Sequence, residues 1–183
     1  MSRKIFAVFF ASLPLAALFF VVIRDCSGEV VWLARDGRSL QTFGDASVEA
    51  PIPFQGSLWS VWGTIPAGGE RGGWETALSL DGRPRDFVAQ IGLHPDYYEI
   101  GRTDGVVISI DLLEDGRTTE VWSAMFSPVL RGRREPFRSV RVSLQSWQNK
   151  NVRLRMKARP YGTNTVDVIW VEPRLEHATD RES

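Results

Sequence analysis

The sequence has little of the material from which most chemically active sites are built. A single cysteine, Cys26, excludes a disulfide framework and a multi-cysteine zinc or iron–sulfur site. Two histidines leave little for a histidine-rich metal site, and no cofactor is expected. The 22 basic and 22 acidic side chains cancel, so the positive excess of a protein that coats nucleic acid is absent. No nucleic-acid partner is therefore expected.

Enzymatic motifs are equally scarce. His94 is followed by Asp96, which could orient it as a base, but no serine elbow or nucleophilic cysteine accompanies them. Several acidic residues, Asp111 and Asp115 among them, are interpreted as turn-forming carboxylates rather than as a catalytic pair. We expect a protein that is not an enzyme, with a hydrolase as the remaining possibility.

What the sequence does have is one long apolar run. Ile5–Ile23 contains 19 consecutive uncharged residues. As a helix it would be about 28 Å long, close to the roughly 30 Å hydrocarbon core of a bilayer. Arg3 and Lys4 precede the run, so residues 1–4 are expected in the cytoplasm and the rest of the chain in the periplasm or outside the cell. No second run of similar length occurs, so the prediction is a single-pass signal-anchor helix at residues 5–23.

Two alternatives to a retained anchor stay open. The run could be a cleaved signal peptide, although it is longer than the usual apolar core of about 7–15 residues and only residues 26–28 offer a cleavage site. Cys26 could carry a lipid, although Arg24 and Asp25 replace the small residues expected before it. All three interpretations place the remainder of the protein outside the cytoplasm.

The remaining chain shows the two-residue period of β-strands. In residues 152–159 the apolar Val152, Leu154, Met156 and Ala158 alternate with basic residues, which is typical of a strand with one buried and one wet face. Further strands are predicted at residues 30–34, 57–63, 74–80, 86–91, 106–112, 140–144 and 166–170. Asp-Gly and Gly-Gly turns separate these runs. Short strands at this spacing predict an antiparallel β-sandwich.

The predicted boundaries follow from these patterns. Residues 24–28 form a juxtamembrane linker, residues 29–176 the sandwich, and residues 177–183 a polar flexible tail. Phe43–Phe54 has prolines and glycine with little periodicity, so it is predicted to be a loop.

Two groups of side chains are candidates for binding. Seven tryptophans form a large set, and flat aromatic faces can stack on sugars, so Trp59, Trp62, Tyr97 and Tyr98 are candidate platforms, with core packing as the alternative. Residues 131–159 hold ten cations and one acid. If the two strands here are neighbours, Arg141, Arg153, Arg155 and Lys157 would form a cationic ladder for an anionic partner, or simply a solvated face that discourages strand aggregation.

Residues 87–176 resemble a known family. The segments FVAQIGLHPD, DGVVISIDLLEDG, NVRLRMKA and DVIWVEPRL are similar, in this order, to the pattern of galactose-binding-like jelly rolls, particularly the NPCBM-type carbohydrate-binding modules. The resemblance implies a jelly roll that binds a saccharide. It matches the polar residues of the family's penultimate loop to Asn164 and Asp167, and it implies a possible structural calcium with Glu172 as a ligand.

Two functions from different classes follow. The first is a membrane-anchored, non-catalytic module that binds a saccharide or envelope glycan, with aromatic faces stacking on the sugar and polar side chains bonding its hydroxyls. The second is an accessory subunit of a membrane protein complex, with the helix packing in the membrane and the sandwich capping a partner.

Overall fold

The structure, a computed structural model, describes residues 31–33, 35, 40–66, 72–82, 85–95, 105–127 and 137–178. The predicted anchor and linker, Tyr97 and Tyr98, and most of the predicted tail lie outside these residues. None of the helices in the described ranges has the length and apolar character needed to cross a bilayer.

The described chain is almost entirely β-structure. The strands are β1 (Val31–Trp32), β2 (Gln41–Phe43), β3 (Ser47–Phe54), β4 (Ser57–Ile65), β5 (Gly72–Ser79), β6 (Arg85–Leu93), β7 (Val106–Glu114), β8 (Arg117–Phe126), β9 (Phe137–Ser143), β10 (Asn151–Pro160) and β11 (Val166–His177). A short 3-10 helix, Gln145–Trp147, joins β9 to β10.

The strands form two antiparallel sheets. Sheet I has the order β3-β4-β11-β6-β9, and β1 pairs with β11 beyond the end of β4. Sheet II has the order β2-β5-β10-β7-β8. The predicted antiparallel sandwich is therefore confirmed.

The core lies between the sheets because each strand turns alternate residues inward. In β10, Val152, Leu154, Met156 and Ala158 are all buried, as their spacing predicts. At the centre, the rings of Trp74 from sheet II and Trp170 from sheet I meet edge to face, with centroids 5.9 Å apart. These two indoles fix the spacing of the sheets at the middle of the sandwich.

The predicted loop at Phe43–Phe54 is wrong. Most of it is β3, an edge strand of sheet I in which exposed and half-buried residues alternate. Pro51 and Pro53 weakened the strand signal, but an edge strand tolerates proline because one side of its backbone has no neighbouring strand. The sequence also did not predict β8. This strand forms an edge of sheet II, and most of its residues are exposed.

The strand β11 continues further than predicted. It passes Pro173 and ends at His177, where a register irregularity between Val171 and Arg174 absorbs the proline. Glu172 lies at this bulge with a φ of 52°. As a result β11 is long enough to pair with β4, with β6 and with β1.

Candidate functional site

The outer face of sheet II carries an unusual number of paired charges. The registers place Gln41 beside Glu75, Glu75 beside Arg155, and Arg155 beside Asp111, so one row of side chains crosses four strands. We call this surface, with Phe43, Glu75, Asp111, Arg153, Arg155 and Lys157 as its main side chains, the sheet II face.

Glu75 is the centre of the first charge cluster on this face. Arg153 Nη1 donates a hydrogen bond to its Oε1 at 3.0 Å, and Arg155 donates from Nε and Nη2 to its Oε2 at 3.0 and 2.7 Å. The Arg155 guanidinium also lies over the ring of Phe43, 4.5 Å from the ring centroid. The two arginines and the glutamate are therefore held in one geometry before any ligand arrives.

Lys157 and Asp111 form the second cluster. Lys157 Nζ lies 2.5 Å from Asp111 Oδ2, and the two residues are 6% and 1% exposed although both lie on the outer side of the sheet. Within the part of the chain that the structure describes, Asp111 Oδ1 has no hydrogen-bond partner. The interpretation of Asp111 as a turn residue is wrong, since it lies in the middle of β7.

Two depressions flank these clusters. One, with a volume of about 790 Å³, is bounded by the ends of β5 and β10 and by the β7–β8 turn; Ala77 and Leu113 give it an apolar floor, and Asn151 and Arg153 are polar groups on its wall. The other, about 210 Å³, is lined by Ser109, Glu120, Ser123, Lys157 and Arg159 among others. Together they give the sheet II face room for an extended polar ligand.

The predicted cationic ladder does not form. Arg153, Arg155 and Lys157 belong to β10 in sheet II, whereas Arg141 belongs to β9 in sheet I. All four cations contact carboxylates: Arg153 and Arg155 bind Glu75, Lys157 binds Asp111, and Arg141 binds Asp86 and Glu176. The premise that the two basic strands are neighbours fails because their intervening 3-10 helix carries the chain from one sheet to the other.

Arg141 belongs to a separate network on sheet I. The hydrogen bond with Asp86 raises the pKa of Arg141. This effect is larger than the decrease in pKa that desolvation causes, so the pKa is raised overall. Partial burial raises the pKa of Glu176, but hydrogen bonds from Arg174 and Arg141 together outweigh it, so the pKa is lowered. This network ties β6, β9 and β11 together by charge.

The predicted aromatic platforms lie apart from the sheet II face. Trp62 is half-buried on the outer side of sheet I, where its ring stacks on His94 with centroids 4.3 Å apart. Phe54 packs against His94 and also against Phe137. Trp59 is half-buried nearer the other end of β4, with Arg35 over its ring. One ring face of Trp62 is thus already occupied by the imidazole.

Of the two predicted polar residues, Asp167 lies near Trp62 on the outer side of sheet I. Asp167 pairs in register with Thr64 on β4, two residues from Trp62, and its Oδ1 accepts a hydrogen bond from Thr64 Oγ1 at 2.7 Å. Asn164 is half-buried in the turn before β11. The structure therefore brings Trp62 and Asp167 to one face, with Asn164 in the preceding turn, and leaves Trp59 farther along the strand.

The predicted calcium ligand, Glu172, has a cationic neighbour: its carboxylate lies 3.5 Å from Arg174 Nη1. A calcium ion at Glu172 stays a prediction. Across the described ranges, no group of three or more acidic, histidine or cysteine side chains is arranged to hold a metal.

Sequence reasoning missed Glu75 and Phe43 as site residues. Glu75 is a charged residue in an otherwise uncharged strand, but Phe43 stands in a segment predicted to be a loop, and neither position reveals its partner. Glu75 meets Arg155 from a strand 80 residues away in sequence.

No protein-family model matches the sequence, and no curated protein does. Solved structures match by fold. A family 61 carbohydrate-binding module, described in complex with β-1,4-galactotriose, has a TM-score of 0.53 at 9% identity over 77% of this chain and 90% of that one. A family 22 module of a Clostridium thermocellum protein, studied for the role of conserved cleft residues in ligand binding, has a TM-score of 0.52 at 9% identity over 85% and 95%. A family 22 xylan-binding domain from Paenibacillus barcinonensis has a TM-score of 0.50 at 9% identity over 85% and 98%. The predicted likeness to carbohydrate-binding jelly rolls is confirmed at the level of the fold.

Proposed function

We propose that this protein is a non-catalytic saccharide-binding module, displayed outside the cytoplasm on a single membrane-spanning segment, and that the sheet II face binds the saccharide. The fold is shared with carbohydrate-binding modules, which supports the class of ligand. The observation that carries the proposal is the cluster of Glu75, Arg153 and Arg155 beside Phe43, fixed by mutual pairing between two depressions.

The chemistry of this cluster suits sugar hydroxyls. Charged, planar groups form strong hydrogen bonds with hydroxyls, and groups already held in place lose little side-chain entropy when the ligand binds. Arg153 is 60% exposed in its side chain, so it has donors left for a ligand after pairing with Glu75. In the larger depression, Ala77 and Leu113 would contact the C–H face of one pyranose, and the Phe43 ring beside Arg155 offers apolar surface to another.

The same pairing argues against catalysis on this face. A glycosidase of the common kind uses two carboxyl groups, one as acid and one as base or nucleophile, flanking the bond to be broken. Here Glu75 is held by two guanidinium groups and Asp111 by a buried ammonium group. Both carboxylates are occupied by cations, so they position and bind rather than transfer protons.

The location outside the cytoplasm rests on the sequence. The 19-residue apolar run Ile5–Ile23 is long enough to span a bilayer, and Arg3 and Lys4 before it favour a cytoplasmic N-terminus. A saccharide on the outer side of the membrane would then be held close to the surface.

The test uses the full chain in lipid nanodiscs. A glycan array identifies saccharides that are retained, and titration calorimetry with β-1,4-galactotriose and xylohexaose provides defined first probes. With any saccharide that binds, Arg155→Met should weaken affinity about tenfold, or roughly 1.4 kcal/mol, because it removes the guanidinium that orients Glu75 and lies over Phe43. Arg141→Met, which removes an arginine from the other sheet, is the matched control and should leave affinity unchanged.

Other outcomes would overturn the proposal. Retention of no saccharide by the folded full chain would remove the proposed function. Binding that is lost in Trp62→Ala but kept in Arg155→Met would move the site to sheet I, as the sequence alone predicts. Thermal unfolding of each variant shows whether a loss of affinity accompanies a loss of fold.

A further inference from the structure

One corner of the sandwich is where the described chain begins. Val31 and Trp32 pair with Leu175 and Arg174 at the far end of β11, and Leu33 N donates a hydrogen bond to Pro173 O at 2.9 Å. The chain then reaches Arg35, whose guanidinium carbon lies 5.9 Å from the centroid of the Trp59 ring. We call Val31, Arg35, Leu58 and Trp59 the N-terminal corner.

This corner exposes apolar side chains. Leu58 of β4 is 64% exposed, and Val31 of β1 is 36% exposed. In contrast, Ser57 and Ser60 of β4 are buried. Trp59, the next residue after Leu58, is half-buried, and Arg35 over its ring is exposed. Among the described residues, the other large exposed apolar side chains are Met125 and Tyr161, which lie at the opposite end of the sandwich, next to the beginning of β7 and the end of β10.

The sequence before the corner limits how far it can lie from a membrane. Residues 24–30 separate the apolar run from Val31, and seven residues reach at most about 25 Å when fully extended. If the run spans the bilayer, as proposed above, the N-terminal corner is therefore the part of the sandwich that is held closest to the lipid surface. Such tethering raises the effective concentration of the corner at the lipid, so even a weak contact would be well populated.

From these observations we propose that the N-terminal corner docks on the surface of the bilayer that holds the chain's own apolar segment. This inference rests on the proposed anchor but not on saccharide binding. Leu58 and Val31 contribute apolar surface to the boundary of the acyl chains, and the Trp59 ring lies at the headgroup level, where tryptophan is enriched. Arg35, above that ring, donates to lipid phosphate while its stem covers apolar surface.

Docking would fix the orientation of the sandwich. The strand β11 runs from Leu175 at the corner to Val166 at the opposite end, nine residues away, or about 30 Å at the usual rise of a strand. The strands would then run away from the membrane surface, and the sheet II face would be roughly perpendicular to the membrane plane. A glycan lying parallel to the membrane surface could reach that face.

The experiment measures depth at two labelled positions in the full chain. In a Cys26→Ser background, Leu58→Cys and Thr163→Cys are each labelled with a fluorophore, and the protein is reconstituted in phosphatidylcholine vesicles with or without lipids carrying a nitroxide near the headgroup. Thr163 is exposed in the turn before β11, at the end away from the corner. We expect quenching at position 58 to exceed that at position 163 by at least about threefold.

A second measurement uses no label. Hydrogen exchange of residues 55–58, the β3–β4 turn and the start of β4, is compared in nanodiscs for the wild-type chain, for Leu58→Asp and for Met125→Asp. A charge at Leu58 should remove protection of this turn because it cannot enter the lipid boundary, whereas the same charge at the exposed Met125 should not.

The outcomes separate the anchor from the docking. A chain that floats with the vesicles, is quenched at position 58 and loses protection in Leu58→Asp supports docking. A chain that floats but shows equal, weak quenching at both positions overturns docking and leaves the anchor intact. A chain that does not float with the vesicles overturns the anchor and the docking together, while saccharide binding is judged by its own titration.

Discussion

At position 73, the backbone of the neighbouring strand leaves no space for any side chain, so only glycine fits. A Cβ built on Gly73 would lie 2.0 Å from the carbonyl oxygen of Met156, which is backbone of the neighbouring strand and cannot move aside. Gly63 is limited in a similar way by the ring of Trp170, 2.7 Å from its would-be Cβ. Gly73 lies in β5 rather than in the Gly-Gly turn that the sequence predicts, and Gly63 lies in β4, so neither steric requirement is visible in the sequence.

The first prediction concerns Gly73→Ala. It should lower the free energy of unfolding by about 3 kcal/mol, because the added methyl forces β5 away from β10. Chemical denaturation with the tryptophan signal measures this change. Gly116→Ala is the control: nothing lies within 4 Å of its Cβ, so only its φ of 78° opposes the substitution, at a cost of about 1 kcal/mol. Equal effects in the two variants would refute the steric argument.

At the scale of the elements, charged side chains join strands that are distant in sequence. The Lys157–Asp111 pair joins β10 to β7, the Glu75 cluster joins β5 to β10, and Arg141 joins β9 to β6 and β11. A buried pair contributes little net stability compared with apolar residues of the same size, but the loss of one partner leaves a buried charge.

The second prediction follows for Lys157 and Asp111. Lys157→Met alone should destabilise the protein by about 3–5 kcal/mol, because the Asp111 carboxylate would remain buried without its cation. The double variant Lys157→Met with Asp111→Leu should recover most of that loss. Thermal and urea unfolding of the three proteins provides the measurement, and an additive double variant would show that the two groups do not interact.

The third prediction concerns pH and Glu176. Its pKa in the folded state is below its ordinary value of 4.5, so the folded state binds fewer protons than the unfolded state in this range. The stabilisation is complete above about pH 4.5 and is lost as the pH falls through the folded-state pKa. The difference in Tm between the wild type and Glu176→Gln should therefore shrink as the pH is lowered past 4.5. A difference that is constant or grows on acidification would contradict the assignment.

At the scale of the whole molecule, β11 joins the beginning and the end of the chain. It is central in sheet I, with β4 on one side and β6 on the other. Near its C-terminal end, Arg174 and Leu175 pair with β1. Val31 and Leu175 are neighbours although they are 144 positions apart in the sequence. Long-range pairs of this kind form late, because the loop must close before the contact stabilises it.

The fourth prediction is that a chain ending at Val171 does not form the sandwich. It loses the pairing of residues 174–177 with β6 and all of the pairing with β1, and it opens the core at Leu175. Limited proteolysis and circular dichroism of the full chain and the shortened chain measure this. The control Leu175→Val keeps the strand and should reduce stability by only about 1 kcal/mol. Protease resistance of the shortened chain equal to that of the full chain would show that this end of β11 is dispensable.

The class of fold could be predicted from the sequence because two-residue alternation is a local property. Residues 152–159 show it without reference to any other part of the chain, and the apolar residues of β10 face the core as predicted, although Lys157 on the outer side is buried beside Asp111. Edge strands were harder. The alternation in β3 is between exposed and half-buried residues, and its prolines resemble a loop until the missing neighbour on one side is known.

The site could not be predicted in the same way because it depends on which strands are adjacent. The cations of β10 were visible in the sequence, but their carboxylates come from β5 and β7, and Arg141 is carried to the other sheet. By itself, the sequence determined the alternation of the strands, the apolar character of the core and the long uncharged run before it, since each depends on neighbouring residues. Only the tertiary structure decided the order of the strands, and with it which charges are paired, because that order is set by how two whole sheets bury their apolar faces against each other.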